Sequence, residues 1–547
     1  MDDPSGTTTF GYDDASRQTL VVFPGGKRVT YTFDDGGRRA TLVDPDSLTA
    51  TYSFDNANRL TGLVNGASER TTWAYDSAGR LTTLTLANNA TVTYAYDSAS
   101  RISGVRNAKS DGTAISGFAY TRDNVGNPTA VTLANVLRYA ARPAATQDDR
   151  LMTFTYDDSH RPTREQRSGT NAYDMTYTFD AVGNRTTKLT GGVTTTFTYN
   201  EADQVTVQNA GGTLTTFSFD AAGNNTVVNA AGTRTTYTWD LAERLTGIAL
   251  SGGALITVAY CATGLRRTRQ DGSGTVKYLW DGQAPLMETD GDGTTTARYT
   301  GAPDTYGLLV SQRRGNASRF FHPNDLGTFD TVTDADAATT DTYVLDAWGV
   351  QHAATGSTVN AFRYIGALGY YTEPDLGVHY VRARWLRPAT GSWLTVDPVE
   401  TRMRYGYGRL RPTGLVDPGG LLPGTFDCAI CAIACGVLIA LAAVACLTCI
   451  AGVEPASKVL ACGKCFPYAY AAYRACWHEA RRACEEEEAE HPAKPCRPDC
   501  PPGDPPLGFV YVRIYVGKGE YKWMLMPQRE EPVVPPAKPG GPSELPK

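Results

Sequence analysis

The sequence lacks an excess of basic residues. Its 51 lysines and arginines are outnumbered by 57 aspartates and glutamates, which gives a formal net charge of −6 at pH 7. Binding to nucleic acid phosphates needs a basic surface, so the composition argues against a nucleic-acid partner. Methionine is also scarce, with 7 residues, whereas 55 glycines and 30 tyrosines favour a β-rich, turn-rich protein.

Cysteine is nearly absent from the first 427 residues, in which only Cys261 occurs. The other cysteines cluster in the tail, at Cys428, Cys431, Cys435, Cys446, Cys449, Cys462, Cys465, Cys476, Cys484, Cys496 and Cys500. Three C-x2-C pairs among them fit zinc, but their apolar, alanine-rich surroundings favour disulfides. We therefore expect no cofactor, with zinc as the less favoured alternative. Because the tail has an odd number of cysteines, eleven, at least one of them would stay unpaired or form a disulfide with Cys261.

A signal peptide is also missing from the start of the chain. The first residues, Met1-Asp2-Asp3-Pro4, are acidic, and no long apolar run follows them. The chain opens within the repeat described next. We therefore expect that N-terminal sequence precedes it, or that export uses a route without a cleaved signal.

An aromatic–aspartate pair recurs along the first half of the chain. The period is 21 residues at the start and loosens later, through Tyr12-Asp13, Phe33-Asp34, Phe54-Asp55, Tyr75-Asp76, Tyr96-Asp97, Tyr156-Asp157, Phe179-Asp180, Phe219-Asp220, Trp239-Asp240 and Trp280-Asp281. An arginine follows the first five of these aromatics at a constant distance, at Arg17, Arg38, Arg59, Arg80 and Arg101. Runs that alternate threonine with aromatic and β-branched residues lie between the pairs and predict strands.

This pattern predicts stacked β-hairpins. The aspartate accepts local backbone N–H bonds in a turn, and Gly79, Gly183 and Gly223 supply the positive φ that such turns need. We expect the aromatic to pack inward and the arginine to bridge to the next turn. One hairpin cannot bury its own face, so the array should form a long, curved β-sheet.

The stretch Phe362–Leu421 differs from the repeat and from the tail. It contains F-R-Y-I-G, then V-R-A-R-W, the pairs Asp397-Pro398 and Asp417-Pro418, and a final G-G-L. The order and spacing of these segments resemble the Rhs repeat-associated core domain of polymorphic toxins and their Tc-toxin relatives. The preceding period is similar to the YD (Rhs) repeat of the same family.

The resemblance implies a mainly β fold, in which a YD-repeat antiparallel β-solenoid or shell is closed by the core domain. On that basis residues 1–290 are YD repeats and residues 291–421 are the last shell turns with the core. Residues 422–506 are then a small Cys-rich, mainly α variable region, and residues 507–547 a short strand with a Pro-rich disordered tail. A shell and a plain structural solenoid remain alternatives for the repeats.

The resemblance also implies self-cleavage by aspartic-type chemistry. Asp397 and Asp417 match the family's motif as a carboxylate pair, of which one activates water and the other donates a proton. Arg384 matches the family's functional arginine, which would hold a carboxylate or orient the scissile segment. The bond to be cut lies between Leu421 and Leu422. The alternative is that both Asp-Pro pairs only start turns.

The tail predicts a payload of a different kind. Residues 429–453 are uncharged and long enough to span a bilayer, but their cysteines also fit a buried, disulfide-tied helical hairpin. Residues 467–490 have helical periodicity, residues 508–517 read as a strand, and residues 527–547 should be disordered. Catalytic motifs are not found in the tail, so a payload enzyme is not supported.

Two functions fit these observations. The first is a polymorphic toxin whose shell encloses its own C-terminal payload, a Cys-rich and membrane-active module released after Leu421. Its partners would be an immunity protein, a secretion apparatus or a target-cell membrane, and it would be secreted or on the cell surface. The alternative is a non-toxic cell-surface protein that binds glycans or partners and is anchored through residues 429–453.

Overall fold

The computed structural model describes residues 2–3, 6–133, 150–398, 403–421, 509–517 and 520–527. Within these ranges the secondary structure is antiparallel β-sheet, with two short 3-10 helices at Gly366–Leu368 and Tyr407–Leu410. The expected mainly β fold is confirmed. The helical segments expected within residues 422–506 and the disorder expected at the C-terminus lie outside the described residues.

A hairpin of two short strands, β1 (Asp2–Asp3) and β2 (Gly6–Thr7), is followed by one long sheet. Each strand of that sheet pairs antiparallel with its neighbours in sequence. The strands are β3 (Thr9–Tyr12), β4 (Gln18–Val22), β5 (Arg28–Phe33), β6 (Arg39–Val43), β7 (Thr49–Phe54), β8 (Leu60–Val64), β9 (Arg70–Tyr75), β10 (Leu81–Thr85), β11 (Thr91–Tyr96), β12 (Ile102–Ala108), β13 (Ala114–Arg122), β14 (Pro128–Leu133), β15 (Arg150–Tyr156), β16 (Pro162–Arg167), β17 (Tyr173–Phe179), β18 (Arg185–Thr190), β19 (Val193–Tyr199), β20 (Val205–Ala210), β21 (Thr213–Phe219), β22 (Asn225–Ala230), β23 (Thr233–Trp239), β24 (Leu245–Ala249), β25 (Leu255–Tyr260), β26 (Arg266–Asp271), β27 (Gly274–Asp281), β28 (Ala284–Thr289), β29 (Thr295–Gly301), β30 (Leu309–Arg314), β31 (Ala317–Pro323), β32 (Phe329–Thr333), β33 (Thr339–Leu345) and β34 (Gln351–Thr355).

The aspartate of each repeat organises a turn between two strands. In the first turn, Asp13 Oδ1 accepts the backbone N–H groups of Ala15 at 3.0 Å and Arg17 at 2.9 Å. The Arg17 Nε group donates to Asp13 Oδ2 at 2.8 Å. The bond from the arginine N–H and the bond from its Nε group recur at Asp34, Asp55, Asp76, Asp97, Asp157 and Asp240. The glycines expected to take a positive φ do so, with φ of 84° at Gly79 and 102° at Gly183.

The repeat arginine also reaches the next turn, as expected. Arg38 Nη1 donates to the carbonyl oxygen of Asp55 at 2.9 Å, and its guanidinium lies 5.1 Å from the centre of the Phe54 ring. Similar stacking joins Arg17 to Phe33, Arg59 to Tyr75, Arg80 to Tyr96 and Arg161 to Phe179. Because a cation over an aromatic ring contributes about 0.5–1 kcal/mol at an exposed site, each repeat stabilises its neighbour modestly and the array adds these contributions.

The two faces of the sheet differ in chemistry. In β5, Val29 and Tyr31 are buried, whereas Thr32 lies on the other face and its hydroxyl is 2.7 Å from that of Thr41 on β6. The more deeply buried aromatic therefore stands two residues before the repeat aromatic, which is itself half-buried near the turn. This second aromatic recurs at Trp73, Phe118, Phe154, Tyr177, Phe197, Phe217 and Tyr237.

The aromatic face of the early strands encloses the later ones. Leu63, Trp73 and Phe118 of β8, β9 and β13 share a core with Val310 and Phe320 of β30 and β31. Polar contacts join the same layers: Asn88 Nδ2 lies 3.0 Å from Thr333 Oγ1, and Arg122 Nη2 lies 2.6 Å from Asp325 Oδ2. The sheet therefore coils, so that its last strands pack inside its first ones.

A small antiparallel sheet follows the coil and lies against its inner face. It contains β35 (Tyr371–Glu373), β36 (Val378–Val381), β37 (Arg384–Arg387) and β38 (Ser392–Trp393). Arg266 of β26 fastens it to the coil. Its side chain is fully buried, pairs with Glu373, and lies 4.1 Å, 4.4 Å and 4.6 Å from the ring centres of Tyr278, Tyr371 and Tyr380.

The C-terminal strand that the sequence predicted is present. Strand β39 (Phe509–Gly517) pairs antiparallel with β40 (Glu520–Pro527), a strand that the sequence did not predict, in a compact unit separate from the coil. Cys261 forms no disulfide with another described residue, and the eleven tail cysteines lie outside the described residues. Within the described ranges, a helix long and apolar enough to cross a membrane is not found, and residues 429–453 lie outside them.

Candidate functional site

Arg384, Asp397 and Asp417 come together in a buried ionic triad. The Nη2 atom of Arg384 lies 2.8 Å from Asp397 Oδ2 and 2.9 Å from Asp417 Oδ2. The three side chains are only 2%, 5% and 1% exposed. The structure therefore places all three predicted catalytic residues in one site, although up to 33 residues separate them in the sequence.

Local structure holds each member of the triad in place. Arg384 begins β37, and its guanidinium stacks 4.1 Å from the ring centre of Trp393 on the neighbouring strand. The backbone N–H of Asp397 donates to the carbonyl oxygen of Arg404 at 2.7 Å. The backbone N–H of Asp417 donates to the hydroxyl of Tyr370 at 2.9 Å. Rings and backbone bonds thus fix the two Asp-Pro segments against β37.

The shared guanidinium differs from the arrangement expected for a proton-sharing carboxylate pair. Burial lowers the pKa of Arg384, and the negative charges of Asp417 and Asp397 oppose that effect. One guanidinium nitrogen of Arg384 thus contacts an oxygen of each carboxyl group. The prediction that one carboxyl carries a proton therefore stays a prediction, and the positive charge of Arg384 takes the position between them.

A backbone clamp holds the segment that leads to Leu421. The Arg382 Nη1 group donates to the Pro418 carbonyl at 2.6 Å, and the Ala383 N–H donates to the Gly419 carbonyl at 3.3 Å. The Arg384 Nε group donates to the carbonyl of the next residue, Gly420. Three consecutive residues of the core sheet region thus bind three consecutive carbonyls, which fixes the register of this segment.

The last contact of the clamp involves a triad member. The backbone N–H of Leu421 donates to Asp417 Oδ1 at 2.8 Å, while Asp417 Oδ2 faces Arg384. Leu421 is 38% exposed and is the last described residue before the tail. Leu422, the other residue of the predicted scissile bond, lies outside the described residues.

Only glycine fits at position 420. Its φ is +72°, and a Cβ placed there would lie 2.4 Å from the carbonyl oxygen of Val381 and 3.1 Å from the backbone nitrogen of Arg384. Both obstacles are backbone atoms, so a side chain cannot be accommodated by a change of rotamer. The glycine lets the segment approach the strand closely enough for Arg384 to reach it.

A cavity of about 430 Å³ lies beside Leu421. Apolar side chains from the first strands and from β27 line it, including Phe10, Val21, Phe23 and Trp280. The cavity therefore lies between the first strands of the coil and β27. Leu421, at the end of the clamped segment, thus contacts a largely apolar cavity.

Sequence reasoning missed two residues of this site. Arg382 was noted beside Arg384 but received no role, although its three guanidinium nitrogens contact the carbonyls of Gln283, Pro418 and Tyr306. Tyr370 was also missed. The sequence did offer one sign of a role for Arg382. It stands two positions before Arg384 in an aromatic segment, and a buried arginine needs hydrogen-bond acceptors.

Histidines and acidic groups do not form a metal site in the part of the chain that the structure describes. Burial lowers the pKa of His322 to about 3 and that of His379 to about 4. Both imidazoles are therefore neutral across the physiological pH range. The chemistry of the site rests on carboxylate and guanidinium groups.

Comparison with known proteins identifies the repeat. The family model for the RHS Repeat matches residues 54–91 and 75–114. The tRNA3(Ser)-specific nuclease WapA of Bacillus spizizenii is 30% identical over 176 residues, which is 30% of this chain. This chain is a member of the Rhs/YD-repeat family. The tRNA nuclease WapA of Bacillus subtilis is 28% identical over the same length.

Solved structures share the fold of this Rhs/YD-repeat chain. The TcdB2–TccC3–Cdc42 structure matches with a TM-score of 0.60 and 17% identity over 77% of this chain. The Photorhabdus luminescens Tc holotoxin pore matches with a TM-score of 0.60 and 18% identity over 73% of this chain. The chain covers 23% and 21% of those two structures and 7% of the WapA proteins, so it corresponds to a small part of each.

Proposed function

We propose that this Rhs/YD-repeat chain is a polymorphic toxin carrier that releases its C-terminal payload by cutting its own backbone after Leu421. The observation that carries the proposal is the clamp, which binds three carbonyls in succession and ends at Leu421 beside Arg384, Asp397 and Asp417. The family supports it, since relatives of this chain are nucleases and components of a toxin by name.

The proposed reaction is hydrolysis of one peptide bond. Asp397 accepts a proton from a water molecule, whose oxygen attacks the carbonyl carbon of Leu421. Asp417 holds the Leu421 N–H and thereby orients that carbonyl. The bond between the Leu421 carbon and the Leu422 nitrogen breaks, the new amine of Leu422 takes up the proton, and Leu421 gains a carboxylate.

Arg384 replaces the protonated carboxyl of an ordinary aspartic site as the electrophile in this proposal. Its Nη1 atom is buried and has no hydrogen-bond acceptor within the described part of the chain. A buried, unpaired guanidinium N–H is suited to stabilise the negative charge that develops on the attacked carbonyl oxygen. Its neighbour Nη2 meanwhile holds both carboxylates in place.

The payload is proposed to be the Cys-rich tail beyond Leu421, acting on a target-cell membrane. A nuclease payload like that of the WapA proteins is less suited to this tail, which has no basic histidine cluster. An immunity protein and a secretion apparatus are the partners that such a function requires. Secretion or surface display is the matching location.

Intact-mass analysis of the purified chain tests the proposal. The wild type should yield a fragment that begins at Leu422, and Asp397→Asn should remain whole. Asp76→Asn, which removes a turn carboxylate far from the triad, is the matched control and should cleave like the wild type. A wild-type chain that stays whole and fractionates with membranes would instead support the anchored cell-surface protein.

A further inference from the structure

A second cavity lies inside the coil, away from the triad. It has a volume of about 560 Å³ and is enclosed by β13–β16 on one side and by β32 and β33 on the other. Phe118, Val131, Met152 and Phe154 form an apolar wall. A cavity of this size, with an apolar wall and polar groups opposite it, is typical of sites that bind small molecules.

Arg167 points a buried charge at this cavity without a protein partner. It is the last residue of β16, and its side chain is 7% exposed. Its Nε atom is buried with no acceptor, and no hydrogen bond or ion pair to its guanidinium exists within the described residues. A buried guanidinium N–H without an acceptor is costly, so an acceptor from outside the protein would stabilise it.

Arg150 adds a second positive charge on the same wall. It begins β15, and the register pairs Arg167 with Met152, which places Arg150, Met152 and Arg167 on one face of the sheet. Burial lowers the pKa of Arg167, and the charge of Arg150 acts in the same direction, whereas Tyr173, Asp330 and Glu165 act against it. An anion between the two arginines would add a hydrogen-bonded acceptor and reduce the repulsion between them.

Three carboxyl groups also line the described part of the cavity, at Asp325, Asp330 and Asp346. Asp325 is paired with Arg122 at 2.6 Å, and Asp346 contacts His352 at 3.3 Å and Lys188 at 3.8 Å. Asp330 accepts a hydrogen bond from the Ser116 hydroxyl at 3.3 Å, and burial raises its pKa to about 7. None of these three carboxyl groups forms an ion pair with Arg167 or Arg150, so among the described residues the two guanidinium groups keep N–H donors for a ligand.

We propose that this cavity binds a small organic carboxylate, with the carboxylate on Arg167 and Arg150 and an apolar body against the Phe118 and Phe154 wall. The planar guanidinium of Arg167 matches a carboxylate through two parallel N–H bonds. The aromatic wall accepts an aliphatic or aromatic body. This site is separate from the triad and does not depend on the proposed cleavage.

Isothermal titration calorimetry on the full chain tests the proposal with hexanoate and its neutral isostere hexanamide as probes. Hexanoate should bind at least about tenfold more tightly than hexanamide, because its charge meets the two arginines. Arg167→Met should lose this preference. Arg164→Met is the matched control and should keep it, because Arg164 lies in the same strand, is 44% exposed and is paired with Asp174.

Several outcomes would overturn the site. Equal affinity for acid and amide would mean an apolar cavity without anion recognition, and an absence of heat at millimolar hexanoate would mean no site. Unchanged hexanoate binding in Arg167→Met would exclude Arg167 as the recognition group. If that variant does not fold, Arg150→Met takes its place, because its half-buried side chain can be removed at lower cost, and it should also weaken hexanoate selectively.

Discussion

Replacement of Gly420 by alanine should slow release of the tail while the coil stays folded. The new Cβ would stand 2.4 Å from the Val381 carbonyl oxygen, whereas ordinary contacts of this kind begin above 3 Å. The left-handed φ of +72° adds a further cost of about 1 kcal/mol for a residue with a side chain. The clamped segment must therefore move away from β36 and β37.

The size of the effect follows from this displacement. Moving the backbone by roughly 1 Å separates the Gly420 carbonyl from Arg384 and misplaces the Leu421 carbonyl, and a shift of that size costs about 100-fold in rate. We therefore expect Gly420→Ala to release the tail about 100-fold more slowly than the wild type. The assay is the time course of fragment formation on denaturing gels, checked by intact mass.

Gly414→Ala is the matched control for this prediction. A Cβ at Gly414 would meet nothing within 4 Å, and this glycine has no left-handed φ. It should cleave at the wild-type rate. If Gly420→Ala also cleaves at the wild-type rate while both variants keep the β-sheet circular dichroism of the parent, the clamp does not position the scissile bond.

Two further predictions concern stability. Arg266→Ala removes one of the two guanidinium partners of the buried Glu373 and leaves only Arg269, at 3.3 Å, so it should destabilise the coil by about 3 kcal/mol in urea unfolding. The exposed Arg164→Ala should leave the urea midpoint close to that of the wild type. Burial raises the pKa of Glu165 to about 8, with a further contribution from Asp346. The folded state thus binds this proton more tightly than the unfolded state, and stability from this source is present below pH 4.5 and lost as the pH rises towards 8. Glu165→Gln should flatten the fall in stability between pH 5 and pH 8, and an equally steep fall in that variant would assign it to other groups.

The structure of a single repeat could be predicted from its own sequence. The aspartate–arginine turn, the glycine with positive φ and the bridge from Arg38 to the next turn all follow from side-chain chemistry within one period, so they could be predicted. The burial of Tyr31 ahead of Phe33 was not predicted. Both aromatics share one face, and only the coiling of the sheet decides that the residue nearer the strand centre is covered more deeply.

The coil itself could not be predicted from periodicity. Contacts such as Asn88 with Thr333 join residues whose local sequences give no sign of each other, because they depend on the accumulated twist of many strands. For the same reason the cavity at Arg167 was invisible in the sequence. An arginine at a strand end normally reaches solvent. Arg167 is buried because the later strands β32 and β33 pack over this part of the sheet.

The triad could be predicted from the sequence only in part. Motif spacing identified Arg384, Asp397 and Asp417, because the resemblance carries their order along the chain. The position of the guanidinium between both carboxylates was not predictable, since it depends on how the Asp397 and Asp417 segments cross β37. Arg382 was overlooked because its acceptors are backbone carbonyls, which leave no trace in side-chain patterns.

The most direct test of the central claim is cleavage in water enriched in ¹⁸O. Hydrolysis after Leu421 predicts that the fragment ending at Leu421 gains one ¹⁸O atom in its new carboxylate, and that the partner fragment begins at Leu422 without label. Asp397→Asn should give neither fragment. A labelled terminus at another residue, or an unchanged rate of cleavage in Asp397→Asn, would contradict the account.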